Sequence, residues 1–418
     1  MRINLVGINH RTAPIDIREK VAVSADMFHH SLSLLRSHIP QGVILSTCNR
    51  TEIYTVDGDG QHAKEASLDF LRAQLDIPHA RLLRYVYILE DTKAVEHLFH
   101  VACGLDSMIV GEYEVLGQVG HALEVAEKAK MVELPLRYVF QSAIRTGRRA
   151  RKETGISKNA LSISSAAVDL AARVVGDLKK SKVLVVGTGE AGRLVLKVAK
   201  ERGASQIIIA SRSKKRASAL TAILGGTPTS LSNLKEELNT CNIVITCAGS
   251  RNWILDVDCV REAMASRPEL PLVIIDIAVP RNVEPGVEQI SNVFRYSIDD
   301  LANTTEMNLR QREGEIEKVE KIKATEVAKF VSWQQDFEVR PVIKALMRKA
   351  DDIRCAQLER TLKQLPPLSD EQLYSLEAMT KSIVAKMLKE PMQCLKANGN
   401  GEHTDIVKEL FQLETDKY

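Results

Sequence analysis

The sequence predicts a multidomain α/β chain, and three stretches carry that prediction. A short apolar strand, a glycine-rich turn and a helix follow one another in Lys182–Arg202; an α+β pattern precedes them, and a long charged helical pattern poor in glycine and proline follows. Expected from this are an N-terminal α+β domain over residues 1–150, a helical connector over 151–180, a Rossmann-type parallel-sheet domain over 181–296, and a long spinal helix leading into an all-α region over 297–418. With 418 residues, 44% hydrophobic and 27% charged, the chain is long enough for two or three such domains. Its longest apolar runs fall far short of the roughly 20 residues a membrane helix needs, and Met1-Arg2-Ile3-Asn4 opens without a signal-peptide pattern, so a cytoplasmic protein with no membrane partner is expected. Seven cysteines without a C-x-x-C pair point to neither a disulfide framework nor a structural zinc, and no metal motif is present. A net charge of +3 and 4% aromatics show no concentrated basic footprint and no stacking platform, so any RNA would be bound through shape and phosphate contacts.

In chain order, Arg2–Ile8 reads as a strand, Asn9–Pro14 as a loop, and Ser24 as the cap of a helix reaching Ser37. The apolar run Val43–Ser46 ends just before Cys48, a position suited to a nucleophile; the neighbouring Arg50 is expected to favour its thiolate, against the alternative of an inert core cysteine. Strand Glu52–Val56 and a turn at Asp57–Gly60 follow, then amphipathic helices over Lys64–Leu75 and Thr92–Ala102, and helical pattern from Ile109 to Arg151. His10 and Arg11 are open between turn formers and ligands. Arg145, Arg148, Arg149 and Lys152 would share one helix face, either a solvated surface or a track for a phosphate backbone. Ser157–Asp177 reads as the connecting helix.

Lys182–Val186 is a strand, Gly187-Thr188-Gly189-Glu190-Ala191-Gly192 the turn, and Arg193–Arg202 the helix: a dinucleotide-binding fingerprint in its required context. The second strand, Gln206–Ala210, ends in Ser211-Arg212-Ser213-Lys214-Lys215-Arg216 instead of an acidic residue, which favours a 2′-phosphate and hence NADPH, with Ser211, Arg212 and Lys215 beside it. Asn242–Ala248 and Leu272–Val279 supply further buried strands, leaving Cys241, Cys247 and Cys259 as core residues. From Ser297 to Arg340 one helix of about 60 Å is expected, interrupted by Pro341, with Leu309, Ile316, Val319, Ile322, Val327, Phe330 and Phe337 on its apolar stripe. Helices over Val342–Leu365, Ser369–Leu395 and His403–Leu413 complete the chain.

Gly7–Pro14, Ser46–Tyr54, Gly104–Met108, Leu116–Gln118 and Asp276–Arg281 together make the chain similar to the glutamyl-tRNA reductase family, from the N-terminus to about Leu301. The resemblance implies NADPH-dependent reduction of glutamyl-tRNA(Glu) to glutamate-1-semialdehyde through a Cys48 thioester, at the entry to tetrapyrrole (porphyrin, haem) biosynthesis. It implies that His97 assists the cysteine or the departing ribose oxygen, and that Thr47, Asn49, Arg50, Ser107, Glu112, Tyr113, Glu114 and Gln118 hold the glutamyl group. At two of these positions, Tyr113 and Glu114, this chain departs from the Pro-Gln usual in the family. Implied as well are a homodimer built by the C-terminal region and, as a candidate partner, the aminotransferase that consumes glutamate-1-semialdehyde. On the residues alone two rivals stay open: an NADP oxidoreductase acting on a small free metabolite, and a tRNA-binding scaffold that uses its dinucleotide site as a sensor.

Overall fold

A computed structural model describes residues 2–24, 27–57, 61–157, 162–303, 312–397 and 401–413. The chain divides into two compact units, residues 1–324 and 325–418.

The first unit begins with a four-stranded antiparallel sheet of order β2-β3-β1-β4, formed by β1 (Arg2–Asn9), β2 (Gly42–Ser46), β3 (Arg50–Asp57) and β4 (Tyr87–Glu90). Helices α1 (Ile15–Val21), α2 (Phe28–Arg36), α3 (Gln61–Leu75) and α4 (His79–Leu82) surround it, followed by α5 (Asp91–Ala102), α6 (Glu114–Lys128) and α7 (Leu134–Glu153). Three sequence expectations change here. Ser24 does not cap α2, which starts at Phe28 behind a Met27 cap; α1 occupies a stretch the apolar periodicity did not single out; and the helical pattern after Ile109 resolves into α6 and α7. Of the expected turn Asp57–Gly60, Asp57 closes β3 and the remaining residues lie outside those described, as do 158–161 of the expected connector, whose helix α8 is Ile163–Val175.

The second sheet is parallel: β5 (Lys182–Val186), β6 (Gln206–Ser211), β7 (Thr227–Ser230), β8 (Ile243–Thr246), β9 (Leu272–Asp276) and β10 (Val293–Ser297) lie in the order β10-β9-β8-β5-β6-β7. That order reverses between β5 and β8, which opens a crevice at their carboxyl ends, where a Rossmann fold binds its dinucleotide. Helices α9 (Glu190–Glu201), α10 (Lys214–Leu224), α11 (Leu234–Leu238) and α12 (Val257–Ala265) cover the faces, so the strands are apolar on both sides; Cys241 is buried in this core. β10, whose polar residues hid it in the sequence, is the sheet's far edge and leads into α13 (Ile298–Asn303).

The spinal helix differs from expectation at both ends. Strand β10 and α13 take its first residues, Leu309 lies outside the described residues, and α14 (Glu313–Leu362) runs through Pro341 without stopping. Proline removes one N–H from a helix but does not forbid it. Here Val339 and Val342, on either side, are locked into an apolar cluster with Leu395, and Trp333 stacks on Phe337 one turn before. In the second unit α14 continues with α15 (Asp370–Ala397) and α16 (Gly401–Leu410).

Asp276, at the end of β9, organises the connection after it. Its carboxylate is buried and accepts from the Thr246 hydroxyl at 2.8 Å and the backbone N–H groups of Ala278, Asn282 and Val283 at 3.1, 2.8 and 2.9 Å. Asp276→Ala is expected to leave these donors unsatisfied and to lose about 3 kcal/mol or more of stability. Urea unfolding checks the loss, and hydrogen exchange should show protection falling at residues 278, 282 and 283.

Candidate active site

Strands β2 and β3 form a hairpin whose tip is Thr47-Cys48-Asn49-Arg50, with Ser46 paired to Thr51 at its base. The tip is a tight turn: Thr47 N–H donates to the Arg50 carbonyl at 2.8 Å, and the Thr47 hydroxyl accepts from the Asn49 and Arg50 N–H groups at 3.1 and 3.2 Å. Thr47 therefore shapes the turn, and Cys48 projects from its crest. The Cys48 side chain packs against the apolar cluster of the second sheet, together with Met108, Ala191, Cys247 and Val279. Glu114 acts electrostatically on Cys48 and is itself raised by Glu190, which brings the thiol and the start of α9 into one neighbourhood.

Behind the turn lies a buried polar network. In β3, Arg50, Glu52 and Tyr54 alternate and so face the same side of the strand. Glu52 is 0% exposed; its Oε1 accepts from Arg50 Nη1 at 2.8 Å, Tyr87 Oη at 2.5 Å and His97 Nε2 at 2.8 Å, and its Oε2 accepts from Tyr54 Oη at 2.6 Å. Arg50, 2% exposed, also reaches Asp106 through Oδ2 at 2.7 Å and through the backbone carbonyl at 2.6 Å. Burial opposes ionisation of Glu52, yet Arg50 and then His97 override it and hold the carboxyl well below the usual range. Burial and Glu52 push the Tyr54 and Tyr87 hydroxyls well up, so both remain donors.

Arg50 is consequently not the cation that favours the Cys48 thiolate, because its guanidinium is committed to Glu52 and Asp106. Burial pushes the thiol up, Glu112 and Glu114 push it further, and Arg18 of α1 is the cation that draws it back. Arg50 also presents no free fork to a ligand. The accessible cation here is Arg11, 62% exposed and 3.1 Å from Asp106.

Of the other expected residues, Asn49, Ser107, Glu112 and Glu114 gather near the thiol. Asn49 Oδ1 and Glu114 Oε1 are buried without a hydrogen-bond partner among the described residues, as is His10 Nδ1. Buried polar atoms are nearly always satisfied, so this trio marks where a polar ligand would seat. His10 is pushed down to about 4 by burial and Arg50, and is therefore neutral. Burial raises Glu112 while the Ser107 hydroxyl and Arg50 restrain it. Gln118 lies one turn after Glu114 on α6. Tyr113 does not join the group: it is 63% exposed, with the Arg151 guanidinium 6.0 Å over its ring, in a groove with Leu116, Gly117 and Arg148. On α7, Arg145 donates to Ser142 and Arg149 pairs with Glu153, while Arg148 and Lys152 are exposed.

At the dinucleotide crevice, Gly187 takes φ +127°, and a Cβ at Gly192 would sit 2.2 Å from the Gly187 carbonyl oxygen, so both glycines are required sterically. Gly189, the N-cap of α9, faces open space where a Cβ would point, and Glu190 and Ala191 begin the helix. The backbone at the helix N-terminus is therefore open to a pyrophosphate. Thr188 and Ser211 hydroxyls lie 3.3 Å apart, and Arg212 and Lys215 are exposed without an acidic partner among the described residues.

Sequence reading missed Glu52, Tyr87, Asp106 and Arg18 as site components. The polar alternation Arg50-Glu52-Tyr54 within an otherwise buried strand was the available signal for the first, and the place of Asp106 inside Gly104–Met108 that for the third; nothing local marks Tyr87 or Arg18.

Residues 6–154 match the family model for the N-terminal domain of glutamyl-tRNA(Glu) reductase, 318–413 that for its dimerisation domain, and 169–304 that of shikimate/quinate 5-dehydrogenase. The chain is 37% identical over 420 residues to the glutamyl-tRNA reductase of Paenibacillus macerans, covering 99% of this chain and 96% of that protein. It is 38% identical over 408 residues to that of Rubrobacter xylanophilus, covering 97% and 94%. The solved glutamyl-tRNA reductase of Methanopyrus kandleri matches over 98% of each chain at 33% identity, with a TM-score of 0.53.

Glu114 is pushed up to about 7 by burial, Glu112 and Glu190. A carboxyl whose folded value is raised favours the fold below its unfolded value near 4.5 and loses that advantage as pH rises toward 7. Glu114→Gln is therefore expected to match wild type in thermal stability near pH 4.5 and to exceed it by about 1–3 kcal/mol at pH 8. Thermal unfolding across that range checks the sign.

Proposed function

The chain belongs to the glutamyl-tRNA reductase family and has that activity, and from this premise we propose that it works through a thioester on Cys48 and uses NADPH. One observation carries the reading: Cys48, at the hairpin tip, packs into the same apolar cluster as Ala191 of the dinucleotide turn, while unpartnered polar atoms surround it.

A glutamyl ester brings an ammonium group and a side-chain carboxylate. Glu112 and Glu114 are suited to the ammonium, and Asn49, Ser107, Gln118 and the exposed Arg11 to the polar remainder. Burial, and after it Glu112 and Glu114, hold the free thiol protonated; the substrate's ammonium offsets the two acidic groups, so the thiol gives up its proton with the ester already in place. The thiol proton passes to His97, sulfur bonds to the ester carbon, the carbon–ribose oxygen bond breaks, and the oxygen leaves with the proton returned from His97. Since Glu52 holds His97 Nε2, Nδ1 is the nitrogen left to meet that oxygen. Glu52 and Tyr87 fix the ring, and Thr47 keeps the turn.

The fit of NADPH is supported by the turn that Gly187 and Gly192 permit, by the open space at Gly189, and by exposed Arg212 and Lys215 after β6, which are suited to a 2′-phosphate, with Ser211 and Thr188 beside them. Hydride transfer to the thioester carbon is the chemistry NADPH supplies when bound. A homodimer is supported by the matched dimerisation domain and by Met347, Ile353, Met379, Ile383 and Met387, which are exposed on the second unit. The tRNA partner follows from the family, and exposed Arg148 and Lys152 offer it phosphate contacts.

Without NADPH, wild type is expected to release uncharged tRNA and to carry glutamate as a hydroxylamine-sensitive adduct on Cys48. Cys48→Ser should do almost none of this. Gly189→Asp, tolerated by the fold because its side chain meets open space, should keep the deacylation and lose the aldehyde. Labelled glutamate that never appears on wild-type protein in a rapid acid quench would leave direct hydride attack on the ester as the better account.

Cofactor choice has its own check. Arg212→Asp should weaken NADPH use by about 1.5–3 kcal/mol, the worth of a charge-assisted contact, and NADH use much less. Steady-state kinetics with both cofactors decide it, and equal losses overturn the assignment.

A further inference from the structure

Arg18 lies on α1, outside every motif that carried the family resemblance, and it is 4% exposed. A buried guanidinium needs acceptors for its donors, and Arg18 has three in three directions. Its Nε donates to the Ala13 carbonyl at 3.2 Å, Nη1 to the Cys48 carbonyl at 3.0 Å, and Nη2 to Asp299 Oδ1 at 2.5 Å. The first belongs to the loop before α1, the second to the crest of the catalytic turn, and the third to α13, which leaves the edge of the dinucleotide-binding sheet. Among the described residues no other donor reaches the Cys48 carbonyl, so this bond is the backbone's hydrogen-bonded tie from Cys48 to anything beyond the hairpin.

The rest of α1 supports the same connection. Asp16 and Glu19 accept from Arg281, in the loop after β9, at 2.5 and 2.7 Å, and Ile298 and Leu301 of α13 belong to the apolar cluster against which Cys48 packs. Thus α1 is docked on the dinucleotide domain at two points, and Arg18 alone reaches from one of them to the cysteine.

We propose that Arg18 is a positioning residue for the reaction: by bonding the Cys48 carbonyl and the Asp299 carboxylate at once, it holds the cysteine turn in register with the seated dinucleotide domain. A lysine ammonium is a single point donor and would not span the three acceptors, whereas the planar guanidinium does. The same cation lowers the thiol against the burial that raises it. This rests on Cys48 as the nucleophile, but its test does not depend on the thioester.

The informative variant is Asp299→Ala, because this carboxylate is 41% exposed and its removal leaves Arg18 and the turn in place. In the full-length protein without substrates, the rate at which iodoacetamide modifies Cys48 is read by peptide mass spectrometry, with exposed Cys355 as the reference in the same sample. Loosening the turn and freeing Arg18 of its counter-charge both act in one direction, so Cys48 should react about threefold faster or more while Cys355 does not change. Turnover should move the opposite way, with kcat falling about tenfold and KM for charged tRNA changing less than about twofold, the split expected when positioning and not binding is lost. Arg18→Lys should lower kcat as well, and adding Asp299→Ala to it should lower kcat little further.

A Cys48 rate equal to wild type in Asp299→Ala overturns the proposal, as does a double variant whose losses in kcat multiply independently. If Arg18→Lys does not fold, the Asp299→Ala comparison of Cys48 with Cys355 decides alone. Full aldehyde formation by Cys48→Ser would end the thioester reading and leave the link between Asp299 and Cys48 to be judged on the modification rates.

Discussion

A fully buried carboxylate with no water to solvate it has to be answered by the protein, and Glu52 is answered four times. Losing any one partner would leave charge or donors stranded at low dielectric, so Arg50, Tyr54, Tyr87 and His97 are held to one geometry. That demand reaches through three elements: β3 supplies Glu52 and its strand neighbours, β4 supplies Tyr87, and α5 supplies His97. Arg50 extends it to Asp106 in the loop after α5. Behind the Cys48 turn this side is an electrostatic network whose members depend on one another.

The other side of the Cys48 turn is built the opposite way. Around Cys48 neither Glu112 nor Glu114 forms an ion pair among the described residues, and Asn49, Glu114 and His10 each keep an unsatisfied buried atom. An arrangement that is incomplete alone becomes complete when a ligand brings an ammonium and polar groups. Glu114 sharpens this contrast, since it places a second ionisable carboxyl beside Glu112.

Two domains meet at the Cys48 turn with different physical means. The dinucleotide side relies on backbone: glycines whose side chains would collide with the turn, a helix N-terminus, and a sheet whose strand order reverses beside them. The substrate side relies on side chains fixed by charge. What joins them is a small polar seam along α1, where Arg281 meets Asp16 and Glu19 and where Arg18 meets Asp299. Ion pairs at a seam act at short range and with direction, so they set register where apolar packing alone would permit sliding.

How much of this was legible in the chain follows from the range of the forces involved. The glycine turn between Val186 and the helix beginning at Glu190, the absence of an acid after Ala210, and Cys48 at a strand's end were all readable, because backbone sterics and strand periodicity act over a few neighbouring residues. The three-part architecture was readable for the same reason. The boundaries that failed were those where packing overruled local preference: Pro341 stays inside a helix because Val339 and Val342 are held by Leu395, and β10 is a strand because it completes a sheet, despite polar residues. Arg50 shows the limit most plainly. Two positions from Cys48 in sequence, it reads as the thiol's cation; in space its charge belongs to Glu52 and Asp106, the latter 56 residues away, and the cation that reaches the turn is Arg18, 30 residues before it. The sequence by itself determined which chemistry the chain can perform, since that depends on residue types at short spacing. Only the tertiary structure decided which charge serves which partner, because Coulomb energies depend on distance and burial, and neither is a property of position along the chain.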